Sequence, residues 1–213
     1  MKKTKIILIR HGESLANAQK IYLGHTDWDL SENGKKQAQI AAEYFKDEKI
    51  DAIYSSDLIR AYNTAVPHSQ LHSLPINARE ELREIHLGDW EGRYIDDLLR
   101  DFHDEFVYGW RDSFGVFQPP NGESVPHLAK RIRDAVIAIA EENEGKTILI
   151  TTHAAAIRSF WGLVTETVAE EVAEKIPFPT NASATIVYYE DGRLIPGEFS
   201  VDHYQKKKLS AEA

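Results

Sequence analysis

The chain of 213 residues suits one domain, or one domain carrying an insertion. Its 25 basic and 34 acidic side chains leave a net charge of −9, which argues against nucleic acid as a partner but still allows a local basic cluster for an anionic small molecule. With no cysteine, disulfides, thiolate catalysis and cysteine-based metal sites are excluded.

Met1 to Lys5 is basic, but the apolar run after it is too short for a signal peptide or a membrane span. A cytoplasmic protein with no membrane partner is the expectation. That run, Ile6-Ile7-Leu8-Ile9, reads as a strand buried on both faces. It stops on Arg10-His11-Gly12, at the end where α/β sheets place ligands. Taken alone, such an ending is equally well a solvated strand terminus. Residues 15–25 read as a loop or a short turn of helix. Ser31 is a candidate N-cap, and Ala38, Ala41, Ala42 and Phe45 recur at helical spacing, so 31–46 is predicted helical.

Residues 51–55 read as a second strand. Ser55-Ser56-Asp57 offers N-cap chemistry for a helix to about Val66, with Pro67 near its end. Arg60 falls in the first turn of that helix, where a cation opposes the dipole unless an anion is near. A surface Asp57–Arg60 pair is the plainer alternative. Residues 75–79 read as a short strand and 81–92 as a structured, acid-rich loop. Residues 93–120 are predicted to be an insertion of one or two helices. Their aromatics either line a pocket or pack a small satellite core.

The clearest helix covers 124–141, where Val125, Leu128, Ala129, Ile132, Val136, Ile139 and Ala140 share one face and Gly145 follows. Thr147 to Thr151 is another buried strand, and it too runs into a histidine, His153, before a helix. Residues 184–189 and 193–198 form a hairpin about Asp191-Gly192, so one of these strands runs antiparallel. The tail from Gln205 reads as polar and frayed. His68 and His72 read as partly exposed helix-end histidines. The ordinary surface reading also applies to His25, His86, His103, His127 and His203.

Two strand–histidine–turn units in one α/β domain can bring two imidazoles to one sheet edge. Arg10 and Arg60 add fixed positive charge, and guanidinium groups beside helix N-termini make a phosphate site. A histidine can attack phosphorus covalently, and a carboxylic acid from the 81–91 loop can protonate a departing alkoxide. No Gly-Lys-Ser/Thr phosphate loop, dinucleotide glycine fingerprint or Gly-x-Ser-x-Gly elbow occurs.

These residues carry a resemblance. Leu8-Ile9-Arg10-His11-Gly12-Glu13-Ser14 with Asn17 resembles the signature of the histidine phosphatase superfamily, in its phosphoglycerate mutase-like branch. Ser55 to Ala61 with Thr64-Ala65 resembles the second arginine segment. Leu82-Arg83-Glu84-Ile85 through Gly92 resembles the acid-donor loop of the phosphatase members. Asn121-Gly122-Glu123-Ser124 resembles the opening of the penultimate long helix, and Thr152-His153 with Ile157-Arg158 the second-histidine segment. The motifs are in order over roughly residues 5–160.

The resemblance implies a three-layer α/β/α sandwich with a mostly parallel central sheet and a small helical cap at about 93–120, within a single domain over 1–213. It implies His11 as the nucleophile that becomes phosphohistidine. Arg10, Arg60 and His153 would bind the phosphoryl oxygens, with Asn17 and Gly24 also substrate-binding, and Glu84 would be the proton donor. It implies no metal and no cofactor. One departure is Ala154, where the family usually has glycine after the second histidine. The sequence after Glu84 looks like the phosphatases rather than the Arg-His-Tyr-Gly of glycolytic mutases. The expected function is a phosphatase acting on small phosphorylated metabolites. The alternatives are a cofactor-dependent phosphoglycerate mutase and a catalytically idle binder of phosphate ligands. A homodimer is left open.

Overall fold

The computed structural model describes residues 2–205; Lys206 and the rest of the expected frayed tail lie outside the described residues. Gln205 itself is buried at 7% exposure and donates to the Gln37 carbonyl, so it belongs to the packed chain and not to a tail.

The sheet strands are β1 (Thr4–Arg10), β3 (Ala52–Ser56), β4 (Ile76–Arg79), β6 (Thr147–Thr152), β7 (Ala184–Glu190) and β8 (Arg193–Pro196), in spatial order β4-β3-β6-β1-β7-β8. The first four are parallel, while β7 is antiparallel to β1 and pairs in turn with β8. Asp191 and Gly192 both have positive φ (50° and 77°), as a two-residue hairpin matching strand twist requires. The remaining strands, β2 (Ile21–Tyr22) and β5 (Arg93–Tyr94), pair separately and tie the first loop to the insertion.

Helices cover both faces. On one side Ile7, Ile9, Ile53 and Leu149 pack with Phe45 and Ala65, from α2 (Glu32–Tyr44) and α3 (Ile59–His72) and their ends. On the other, Ile6, Leu8, Ile148 and Ile150 meet the apolar face of α5 (Val125–Glu142) and α6 (Ala154–Val164). Alternate residues of β1 thus serve opposite cores, which is why its apolar run is unbroken. Ser31 caps α2 by accepting from the Gly34 amide, and every residue of the predicted stripe on α5 is buried.

Helix α3 departs from expectation. It continues through Pro67 to His72, and its N-cap is Leu58, without a side-chain cap. A proline removes a single intrahelical bond, and burial of Pro67 and His68 against the sheet layer sustains the helix beyond it. The candidate cap residues are used elsewhere: Asp57 pairs with Arg83, and Ser56 meets His153. Asp27 caps from outside, accepting from the Ile59 amide at 2.9 Å. The aromatics of 93–120 are not a satellite core. Phe106, Trp110 and Phe114 join the same cluster as Leu8 and Ile150. After α4 (Ile95–Asp101), Phe106 and Trp110 hang from a π-helical turn (Glu105–Arg111) and Phe114 from a short 3-10 turn (Phe114–Val116).

His68 corrects the surface reading of that pair. It is fully buried, neither ring nitrogen has a hydrogen-bond partner, and burial brings its pKa down to about 3. Between that value and the ordinary 6.5 the unfolded chain binds more protons than the folded one, so the stability His68 confers is present above pH 6.5 and lost on acidification. His68→Leu keeps an apolar group there without the titration. Its stability relative to the wild type is expected to improve by about 2 kcal/mol on going from pH 8 to pH 5. Urea unfolding at the two pH values checks this; an advantage that does not grow with acidity contradicts it.

Candidate active site

The β1–β6 register sets Arg10 opposite Thr152, so the next residues of the two strands, His11 and His153, leave the sheet side by side. Their rings pack edge to face with centroids 5.2 Å apart. The turn after β1 needs Gly12, because a Cβ there would lie 2.4 Å from the Gly34 carbonyl oxygen at the start of α2. The Gly12 amide donates to Thr64 Oγ1 of α3 at 3.0 Å. Helices from one layer therefore fix the aim of the strand end.

His11 is 4% exposed, and its Nδ1 lies 2.7 Å from the Gly12 carbonyl oxygen. A carbonyl can only accept, so the proton sits on Nδ1 and the Nε2 lone pair is free. Burial, then the charges of Arg60 and Arg10, hold the ring well below the usual histidine pKa. His11 is thus the neutral, nucleophilic tautomer at neutral pH.

Arg60 is 2% exposed and donates to the carbonyls of Gly24 (2.7 Å) and Thr26 (3.1 Å). The surface pair with Asp57 does not form, and Asp27 stands 3.9 Å away instead. Arg10 donates to the Pro179 carbonyl at 2.6 Å, and its Nε is buried without a partner. Burial lowers both guanidinium pKa values, that of Arg10 to about 10, so both stay charged at pH 7. Their protein partners are mainly neutral carbonyls, which leaves the positive charge largely uncancelled.

Glu84 is held on the N-terminus of α6. Its carboxylate accepts from the amides of Ile85 (3.0 Å), Ala155 (3.1 Å) and Ala156 (3.0 Å). Thr152 Oγ1 donates to the Leu82 carbonyl and moors the same loop to β6. A cavity of about 290 Å³ gathers Arg10, His11, Asn17, Gly24, Arg60 and Glu84. His153 is not on its wall. It sits behind, fully buried, with Nε2 2.8 Å from Ser56 Oγ and Nδ1 unpartnered. Burial, with the charge of Arg60, holds it neutral as well. Asn17 completes a capping box with Ser14 through its oxygen. Gly24 (φ 53°) lines the cavity, while its carbonyl serves Arg60. Ala154 opens α6 in helical backbone and is absent from the positive-φ residues, so a methyl group is accommodated there.

Several residues that the sequence reading passed over do the positioning. Arg131 donates to the backbone carbonyls of Glu81, Arg83 and Glu84, and pairs with Glu123 through two nitrogens. His25 also donates, from Nε2, to the Glu84 carbonyl at 2.8 Å. Glu91 accepts from the amides of His25, Thr26 and Leu87, joining the two site loops. On the polar face of α5, Arg131 has no sequence mark that separates it from a solvated charge. Among the described residues no group of three or more His, Asp or Glu is arranged to hold a metal ion.

A neutral imidazole with a free nitrogen, two buried cations and a helix-mounted carboxylate around one cavity are the groups that phosphoryl-transfer chemistry uses. Residues 6–199 match the model of the histidine phosphatase superfamily (branch 1), and the chain belongs to this family. It is 32% identical over 190 residues to phosphoglycerate mutase-like protein 4 of Arabidopsis thaliana, covering 88% of this chain and 80% of that protein. It is 32% identical over 199 residues to a metal-independent phosphoserine phosphatase of the same plant, covering 92% of this chain and 81% of that one. A mycobacterial glucosyl-3-phosphoglycerate phosphatase superposes with a TM-score of 0.85 at 26% identity, over 92% of this chain and 99% of that one.

Arg131 makes the donor loop's geometry testable. Arg131→Met is expected to lower kcat about tenfold or more for alkyl phosphates, because general acid catalysis supplies roughly 10²–10⁴ and depends on aim. For p-nitrophenyl phosphate, whose leaving group needs no proton, the loss is expected to be several-fold smaller. Equal losses on both substrates would assign Arg131 a purely structural role.

Proposed function

We propose that this protein hydrolyses small phosphomonoesters through a phosphohistidine on His11. The observation that carries the proposal is the locked tautomer of His11: the Nδ1 proton faces the Gly12 carbonyl and Nε2 is free between two buried guanidinium groups. Nε2 attacks phosphorus, the ester P–O bond breaks, and Glu84 gives a proton to the departing alkoxide. Water then attacks the phosphohistidine, Glu84 takes its proton, and phosphate leaves with His11 restored. Arg10 and Arg60 neutralise the equatorial oxygens, Asn17 adds an amide donor, and Gly24 positions Arg60. His153 supports the ring of His11 from behind, and its charge-free imidazole adds no competing cation there.

Metal independence and a cytoplasmic setting belong to the same proposal. The first is supported by the name of the plant phosphatase relative. A mutase shares the first half-reaction, and the mutase-like plant relative keeps that alternative in view. The apolar cover of the cavity favours hydrolysis of varied esters over shuttling on a small, doubly charged acid.

His11→Ala is expected to reduce hydrolysis by at least about 10³-fold, since removing the covalent nucleophile leaves only binding and electrostatics. Brief exposure of the wild type to labelled substrate is expected to leave an acid-labile, base-stable phosphate on His11. An inert His11 with hydrolysis intact would remove the nucleophile assignment. Incubation with 3-phosphoglycerate and 2,3-bisphosphoglycerate separates the two chemistries. Fast formation of 2-phosphoglycerate with little inorganic phosphate would make the protein a mutase.

A further inference from the structure

The part of the cavity lined by apolar and aromatic side chains has a chemistry of its own. Beyond the phosphoryl groups, the walls are Tyr22, Leu23, Leu87, Ile95, Trp110 and Phe178. The indole N–H of Trp110 is already used, donating to Tyr22 Oη at 3.2 Å. The Tyr22 hydroxyl, kept neutral because burial raises its pKa, is then the one polar function those six residues turn to a ligand.

The cations tell the same story. Arg10, Lys20 and Arg60 are the basic residues on the cavity wall. The two arginines stand beside His11 and are engaged with backbone carbonyls. Lys20 is exposed at the rim, on a residue with φ 58°. A carboxylate attached to the leaving group would enter a half-cavity without a buried cation of its own. Burying an anion without a partner is costly, so the walls select against it.

The apolar walls are also held in place. Leu23 and Leu87 are 7% and 3% exposed. The Phe178 ring stacks on Trp110 with centroids 5.9 Å apart, and the Arg158 guanidinium lies 4.2 Å over its centroid. Arg158 is itself 3% exposed and donates to the carbonyls of Ile176 and Ala173 on either side of the turn leading to Phe178. A buried cation over an aromatic face fixes that ring before any ligand arrives.

We propose that this half-cavity is a leaving-group subsite for an uncharged, apolar alcohol of about one aromatic ring, and that phosphoesters of carboxylated alcohols are poor substrates. The inference rests on the hydrolase reading above and narrows it. It also sets this chain apart from relatives whose names point to phosphoserine or phosphoglycerate.

The test compares kcat/KM of the full chain for 2-phenylethyl phosphate, O-phosphoserine and 3-phosphoglycerate. All three are primary alkyl esters, so intrinsic leaving ability is closely similar. A preference of at least about tenfold for the phenylethyl ester, mainly in KM, is expected from filling an apolar subsite. Phe178→Ala, which trims a ring already 37% exposed, is expected to shrink that ratio several-fold. Phosphoserine or phosphoglycerate turned over as well as the phenylethyl ester, or a ratio untouched by Phe178→Ala, would overturn the subsite and leave the phosphatase standing. Failure on all three esters and on p-nitrophenyl phosphate, with no label on His11, would bring down the hydrolase reading and the subsite with it.

Discussion

The parallel pairing of β1 with β6 is the constraint on which the site depends. The register that sets Arg10 against Thr152 decides that His11 and His153 emerge as neighbours at one sheet edge. Ladder bonds fix that register, and burial of β1 on both faces makes a slip costly, since one residue's shift would exchange the two cores. From this edge the other parts follow. β3 leads into α3 and Arg60, the segment after β4 carries Glu84, and α6 begins where β6 ends and receives the Glu84 carboxylate on its first amides.

The buried arginines are held in a consistent way. Arg10, Arg60 and Arg158 donate chiefly to backbone carbonyls, which satisfy hydrogen bonds without cancelling charge. At the site this leaves two cations, opposed mainly by Glu84, for an anion carrying two charges. Desolvation lowers their pKa values, yet they stay protonated, so the field at His11 is positive before any ligand binds. Burial first, and that field second, keep the imidazole neutral and therefore nucleophilic. Arg131 is used differently. Its charge is cancelled by Glu123, and its remaining donors clamp the loop that carries Glu84. One residue type thus supplies uncancelled charge in one place and geometry in another.

Much of this was legible because it is local. The four-residue apolar run of β1, the stripe on α5, the Ser31 cap and the Asp191-Gly192 turn depend on neighbours along the chain, and they fold as their patterns predict. The helix through Pro67 and the burial of His68 were missed for the opposite reason. Both are set by packing against the sheet layer, which overrides local propensity. The same holds for Arg60, which reads as half of a surface pair until Gly24 and Thr26, far away in sequence, offer their carbonyls.

By itself, then, the sequence determined the main sheet strands and the long helices other than the second half of α3, the two strand-borne histidines and the set of polar residues resembling a known family, because periodicity and motif spacing are written along the chain. Only the tertiary structure decided which nitrogen of His11 is free, that His153 stands behind it and not on the cavity wall, that Arg131 grips the Glu84 loop, and that Tyr22, Trp110 and Phe178 close one half-cavity. Those facts depend on groups far apart in the chain meeting at hydrogen-bond and van der Waals distance, and no local pattern encodes that distance.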